Sequence, residues 1–367
     1  MENIEKKCFK IDNFHFEEAN VSLPIQVGYE TYGKLNSEKN NTIMLCHYFT
    51  GNSHAAGKYA PTDAAPGWWD AIIGPGKAID TDKFFVICAD SICNINFNNP
   101  KVYTTGPGTI NPKTGKPYAM DFPIFTLNDV VKSHKMLLDN LGISSLKAVI
   151  GPSMGGLQSF IWGKYYPDVV QKVVSVFATP MMRPWTLMVP NQLAIDSITL
   201  DPDWNGGNYY GGKVPNTGLL LAFKVLLMAT RTDEWAELNF GRRIVEDGPS
   251  PYKSLDGKFL VQHEVEKIVL GRMQFFDPNG FLYIAKANTL FDLRSGNESL
   301  KDALSAIKAP TLMVIDESDL LFTRGQAEEA LKYLPKAEMH CYNSHNGHLS
   351  CIFETGYFGE KLKSFLG

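Results

Sequence analysis

The sequence predicts an α/β fold: a mostly parallel central sheet with helices on both faces, interrupted by one long helical insertion. Three observations carry this. Short β-rich runs alternate with helical patterns, the alternation stops after Thr179 and resumes near Pro310, and the stretch between is rich in helical periodicity and Gly/Pro turns. The strand candidates are IQVGYETYG as an early strand or hairpin, then 42–48, 84–89, 146–151, 173–179, 311–316 and 337–342. Each is short, rich in Val, Ile or other apolar residues, and bounded by polar or turn residues, as buried strands are. Helical candidates lie at 126–141, 154–165, 323–333 and 350–366. Residues 1–179 and 311–367 are thus expected to form the core, with 180–310 as a helical lid over the strand ends, where open α/β sheets place their ligands.

Bulk composition narrows the class without naming a function. The chain has 367 residues, 44% apolar and 20% charged, with a formal charge of −4. That charge is too near neutral to point to nucleic acid or an anionic membrane as partner. No apolar run approaches the roughly 20 residues of a membrane helix. The start, MENIEKKCFK, lacks the apolar stretch of a signal peptide. Six scattered cysteines form no CxxC pair and suit a reducing cytoplasm. The eight histidines show no HxxxH or HExxH spacing, so no metal site is expected. Gly74-Pro75-Gly76 and Gly206-Gly207 lack nucleotide-loop spacing and read as turns.

The chemistry centres on Gly151-Pro152-Ser153-Met154-Gly155-Gly156, which follows a strand and precedes a helix. A strand-to-helix turn that lifts a serine above a sheet needs small residues two before and two after it, and both are Gly here. This is the nucleophile elbow of the α/β-hydrolase fold. A serine hydroxyl needs a base, and in this fold the partners follow in the order Ser, Asp or Glu, His. Asp319, just after strand 311–316, is the expected acid, with Asp316 and Glu317 as rivals. His348, after the last strand, is the expected base, with His345 as rival. Two backbone donors must face the oxyanion. Met154 N–H follows the nucleophile, and Phe49 N–H lies in the loop after strand 42–48.

With these residues in hand, the chain resembles the homoserine O-acetyltransferase family. The likeness is densest in GWWDAIIGPGKAIDTDKFFVICAD (67–90), GPGTINPKTGKPYAMDFP (106–123), GPSMGGLQSFIW (151–162) and DPDWNGGNYYGG (201–212). It continues in FFDPNGFLYIAKANTLFDL (275–293), SDLLF (318–322) and GH (347–348). The resemblance implies the triad Ser153, Asp319 and His348, a helical lid, acetyl-CoA as acyl-donor substrate with no bound cofactor, homoserine as acceptor, and a homodimer. It breaks at the acceptor. The family's Asp after the catalytic His is Leu349 here, the Arg of its GLxxAR stretch is Phe223, and a Tyr seven residues on is Thr230. A zwitterion in a lidded pocket without counter-charges costs several kcal/mol. Unless Arg183, Lys224 or another charge compensates, homoserine is expected to be a poor acceptor. The expected activity is O-acyl transfer through an acyl-Ser153 ester, with ester hydrolysis by the same triad as the alternative.

Overall fold

The computed structural model describes residues 4–367. Its frame is an eight-stranded sheet. In chain order the strands are β1 (Lys7–Phe16), β2 (Val21–Tyr32), β3 (Thr42–Cys46), β4 (Phe85–Ala89), β5 (Leu146–Pro152), β6 (Val173–Val176), β7 (Thr311–Asp316) and β8 (Ala337–Tyr342). Their spatial order is β1-β2-β4-β3-β5-β6-β7-β8. β1 and β2 form an antiparallel hairpin joined antiparallel to β4, and every other pairing is parallel.

The alternation of side chains across the sheet produces two cores. Met44, Cys46, Val149, Val173 and Met313 face one layer, formed largely by α1 (Leu127–Asn140), α2 (Met154–Tyr165) and later helices. Ile43, Leu45, Ile150, Val174 and Val314 face the other, with Trp69 and Phe358. β3, β5 and β7 are almost wholly buried, which explains why they read as continuous apolar runs. α1 begins where Asp129 accepts from the Thr126 backbone at 2.8 Å, closing the first turn.

Between β6 and β7 run α3 (Leu193–Thr199), α4 (Asn216–Ala229), α5 (Asp233–Asn239), α6 (Leu260–Met273), α7 (Pro278–Thr289) and α8 (Leu300–Ser305). Residues of α3, α4, α6 and the start of α7 share a separate apolar cluster containing Ile198, Phe223, Val269 and Phe281. The inner faces of α7 and α8 belong to the main core instead, through Tyr283, Ile284, Ala287, Ala303 and Leu304. After β7 come α9 (Arg324–Leu331) and, at the C-terminus, α10 (Gly359–Leu366).

Three local expectations change. The helix expected over 350–366 is split into a turn at Ser350–Phe353, a tighter turn at Thr355–Tyr357, and α10. Gly356 and Gly359 weaken a continuous helix, and Phe358 turns inward to full burial beside Trp69. The strand at 173–179 ends at Val176, because Phe177 adopts a φ of +53°. β1 was not foreseen, since Asp12 and Asn13 interrupt its alternation at a register shift between Ile11 and Phe14.

The loops above the sheet rest on buried charge. Lys6 pairs with Asp90 at 2.6 Å and also bonds the Ser53 hydroxyl. Asp90 in turn accepts from Ser53 N–H at 2.7 Å and Tyr103 N–H at 3.2 Å. Glu30 accepts from Tyr32 at 2.9 Å and Tyr59 at 2.5 Å and faces His54 at 3.0 Å. Burial pushes the Glu30 carboxyl up, but His54, Lys6 and Tyr59 outweigh it and hold the group below its ordinary value. Breaking one partner of such a pair leaves an uncompensated buried charge. Asp90→Ala should therefore lose about 3 kcal/mol or more of unfolding free energy in urea. A loss below about 1 kcal/mol would contradict this role for the pair.

Candidate active site

β5 ends at Pro152, and the next residue, Ser153, takes φ +55° and ψ −120° before α2 begins. A non-glycine residue in that region is strained by roughly 1–3 kcal/mol and persists only where its surroundings hold it. The surroundings are glycines. A Cβ on Gly151 would lie 2.3 Å from the Gly155 carbonyl carbon, and one on Gly155 would lie 2.1 Å from the Cys46 carbonyl oxygen. The expected spacing of small residues is thus a requirement of β3, β5 and α2 packing. Ser153 N–H is held by Val176 O at 2.8 Å.

His348 meets this serine. Its Nε2 lies 2.8 Å from Ser153 Oγ, and its Nδ1 lies 2.7 Å from Asp319 Oδ2. Asp319 is buried, and its other oxygen accepts from Leu321 N–H at 2.7 Å and Phe322 N–H at 3.3 Å. The imidazole neighbours the rings of Phe177 and Phe322, with centroids 5.9 Å and 5.6 Å away. Gly347, with φ +60°, supplies the left-handed turn that presents His348, and a Cβ there would press on Thr230 O at 3.0 Å.

The rival residues are placed elsewhere. Asp316 accepts from Ser318 N–H at 2.9 Å, Ser344 N–H at 3.2 Å and Ser350 Oγ at 2.7 Å. It ties the Asp319 loop to the His348 loop without touching the imidazole. Glu317 pairs with exposed Arg324 at 2.5 Å, and His345 with exposed Glu234 at 2.8 Å.

Phe49 lies in the loop after β3, lines the same pocket as Ser153, and packs its ring on Phe281 at 5.2 Å. Met154 is the first residue of α2, where a backbone N–H has no intrahelical partner. The loop carrying Phe49 is fastened by side chains that sequence reasoning missed. Asn94 donates to Gly51 O at 3.0 Å, and Asn96 to Thr50 O at 3.1 Å. His47 Nε2 accepts from Ser91 N–H at 3.0 Å, so its Nδ1–H donates to Tyr48 O at 2.8 Å. Burial lowers its pKa and keeps it neutral. The Asn-rich run after β4, Asn94 to Asn99, was the available signal.

Phe223, Thr230 and Leu349 all line the pocket that contains Ser153 and His348. Phe223 stacks on Phe276 at 4.5 Å, and Thr230 caps α4 with its hydroxyl on Leu227 O at 2.8 Å. Arg183 and Lys224 do not line it. They pair with Glu329 and, at 2.8 Å, with Glu266. The cations that do line it are Arg231 and Arg272. Among the described residues no cluster of three or more metal-ligating side chains occurs, and no helix is long and apolar enough to cross a membrane.

The α/β hydrolase fold family matches residues 41–355. Homoserine O-acetyltransferase of Deferribacter desulfuricans is 38% identical over 359 residues, covering 97% of this chain and 93% of that one. The chain belongs to the homoserine O-acetyltransferase family. The crystal structure of homoserine O-acetyltransferase from Bacillus anthracis, 40% identical, superposes with a TM-score of 0.96 over 100% of this chain and 98% of that one. Esterase E22, 36% identical, superposes with a TM-score of 0.93 over 99% and 100%. This family architecture is therefore shared by proteins named for acyl transfer and for ester hydrolysis.

The packing at the elbow yields a paired prediction. Gly155→Ala should lose about 1–3 kcal/mol or more in chemical denaturation, because backbone must move to admit the methyl group. Gly271→Ala, on α6 with no atom within 4 Å of the added carbon, should be neutral or gain up to about 1 kcal/mol. Equal effects at the two sites would refute the close approach of β3 and α2.

Proposed function

We propose that this chain forms an acyl ester on Ser153 and passes the acyl group to water or to an alcohol that carries no ammonium. The observation that carries the second half is the pocket lining. It is mostly apolar and contains no Asp or Glu, with Leu349 beside the histidine and Phe223 stacked into the wall. An ammonium entering it meets no counter-charge, which costs on the order of several kcal/mol.

The steps follow from the hydrogen bonds. His348 Nε2 takes the Ser153 proton as Oγ attacks the acyl carbon. Asp319 holds the imidazole by its Nδ1–H and stabilises the imidazolium. Phe49 and Met154 N–H donate to the oxyanion, and Met154 has the added benefit of the α2 N-terminus. Collapse expels the leaving group, protonated by His348, and leaves the acyl ester. The acceptor then gives its proton to His348, attacks the ester, and Ser153 recovers its own. The helices of the insertion that carry Phe223 and Val269, with Phe276 in the loop that follows, act as the lid, limiting water at the acyl ester. Acetyl-CoA is the family's donor and is proposed here as one acceptable acyl source; the protein works as a homodimer in this reading, without a cofactor or metal.

Two observations favour a second reading, in which homoserine is the acceptor: relatives at this identity carry that name, and Arg231 and Arg272 line the pocket as cations for a carboxylate.

The experiment gives purified protein p-nitrophenyl acetate or acetyl-CoA, with and without homoserine, following nitrophenol and free CoA. Nitrophenol release that homoserine does not raise is expected. Homoserine-dependent CoA release would overturn the acceptor assignment. Asp319→Asn should lower kcat by about 10⁴-fold, by analogy with the Ser-His-Asp enzymes for which that substitution is known, and Ser153→Ala should remove turnover. Leu349→Asp should raise homoserine-dependent transfer by roughly tenfold, the effect of about 1.4 kcal/mol. No gain would show that another residue sets the acceptor.

A further inference from the structure

The pocket over Ser153 lacks acids yet holds cations, and one of them is built in. Arg231 follows Thr230 directly after α4. Its Cζ lies 4.5 Å from the Trp235 ring centre and 5.7 Å from that of Phe353. Nη1 donates to Asn346 Oδ1 at 2.6 Å, while Nε is buried without an acceptor. Glu354 is the acid whose charge acts on the guanidinium, but its carboxylate is bonded to the Ser344 hydroxyl. Burial lowers the group to about 10, so it remains charged at neutral pH. A partly buried cation that lines the pocket and is hydrogen-bonded to a neutral amide rather than a carboxylate leaves free energy to be recovered by an incoming anion.

Its place in the fold says which part of a substrate it meets. Asn346, Gly347 and His348 are consecutive. Asn346 grips the Arg231 side chain, and a Cβ on Gly347 would lie 3.4 Å from the Arg231 carbonyl carbon. Arg231 is thus fixed to the loop that carries the general base. His348 protonates the departing alcohol, so the alcohol portion of the ester lies on that side. Arg272 belongs to the other wall, stacked on Phe276 at 5.5 Å and reaching Thr50 O at 3.5 Å.

We propose that Arg231 binds a carboxylate on the alcohol portion, so that the preferred substrate is the acyl ester of a hydroxy acid without an ammonium group. This rests on the acyl-Ser153 reading above and narrows its substrate class. The bond between acyl carbon and alcohol oxygen breaks, the bond to Ser153 Oγ forms, and the Ser153 proton leaves with the hydroxy acid. Water then returns the acyl group as a carboxylic acid.

The test compares 4-acetoxybutanoate with its uncharged isostere 4-acetoxybutanamide, following acetate release. The wild type is expected to favour the anion by at least about tenfold in kcat/KM, mainly through KM. Arg231→Gln should bring that ratio close to one, and Arg231→Lys should keep part of it. Butanoate should inhibit the wild type competitively and more strongly than butanamide, a readout that needs no variant to fold. Equal kcat/KM for the two esters, equal inhibition by the two ligands, or an Arg231→Gln variant that slows both esters while keeping the ratio would each overturn the proposal. Turnover of p-nitrophenyl acetate by the same wild-type sample keeps this failure distinct, because its loss would strike the acyl-Ser153 reading instead.

Discussion

The structure depends on one close approach: α2 begins so near the end of β3 that no side chain fits at Gly155, where a Cβ would come within 2.1 Å of the Cys46 carbonyl oxygen. That approach forces the turn after β5 to be short and leaves Ser153 with φ +55°. A serine held this way cannot relax into the sheet or the helix, so its hydroxyl projects into the space over the strand ends. The burial of nearly every residue of α2, from Met154 to Gly163, keeps the turn compressed. Strain is therefore stored in the backbone at Ser153 and offset by the core beneath it.

The remaining parts of the site are brought to that hydroxyl by loops, and each loop is fixed by a buried carboxylate or amide. Asp316 joins the loops of Asp319 and His348. Asp90 receives Lys6 and Ser53, and Asn94 and Asn96 fasten the carbonyls of the Phe49 loop. These groups touch no reacting atom. They supply the rigidity that hydrogen bonds of 2.7 Å and 2.8 Å at His348 require. Over this scaffold the insertion adds an apolar wall, and the chemistry that wall admits differs from what a charged one would admit.

The strand-turn-helix elbow and the parallel strands were legible because each follows from a short-range rule. A Gly-x-Ser-x-Gly run between an apolar strand and a helix has few other structural meanings. Asp319 was the expected acid, with Asp316 three residues before it as a rival, and the contacts that separate the two, His348 for Asp319 and Ser318, Ser344 and Ser350 for Asp316, are visible only in three dimensions. β1 escaped notice because a register shift near Asp12 and Asn13 breaks its alternation. The last helix was overextended because its apolar spacing continues through Gly356 and Gly359, and the inward turn of Phe358 is decided by contacts with Trp69, far away in sequence. Arg231 was passed over for the same reason. Nothing local to Thr230-Arg231-Thr232 shows that Trp235, Phe353 and Asn346 close around it.

The central claim is that the acyl group passes through a covalent ester on Ser153. Its most direct test is acid quenching of the enzyme during turnover of p-nitrophenyl acetate, followed by proteolysis and mass spectrometry of the peptide spanning β5 and α2. The account predicts one acetyl group on that peptide, assigned to Ser153 by fragmentation and absent before substrate is added. Steady turnover with the acetyl group on another side chain, or with none captured on Ser153 at any quench time while product accumulates in a burst, would contradict it.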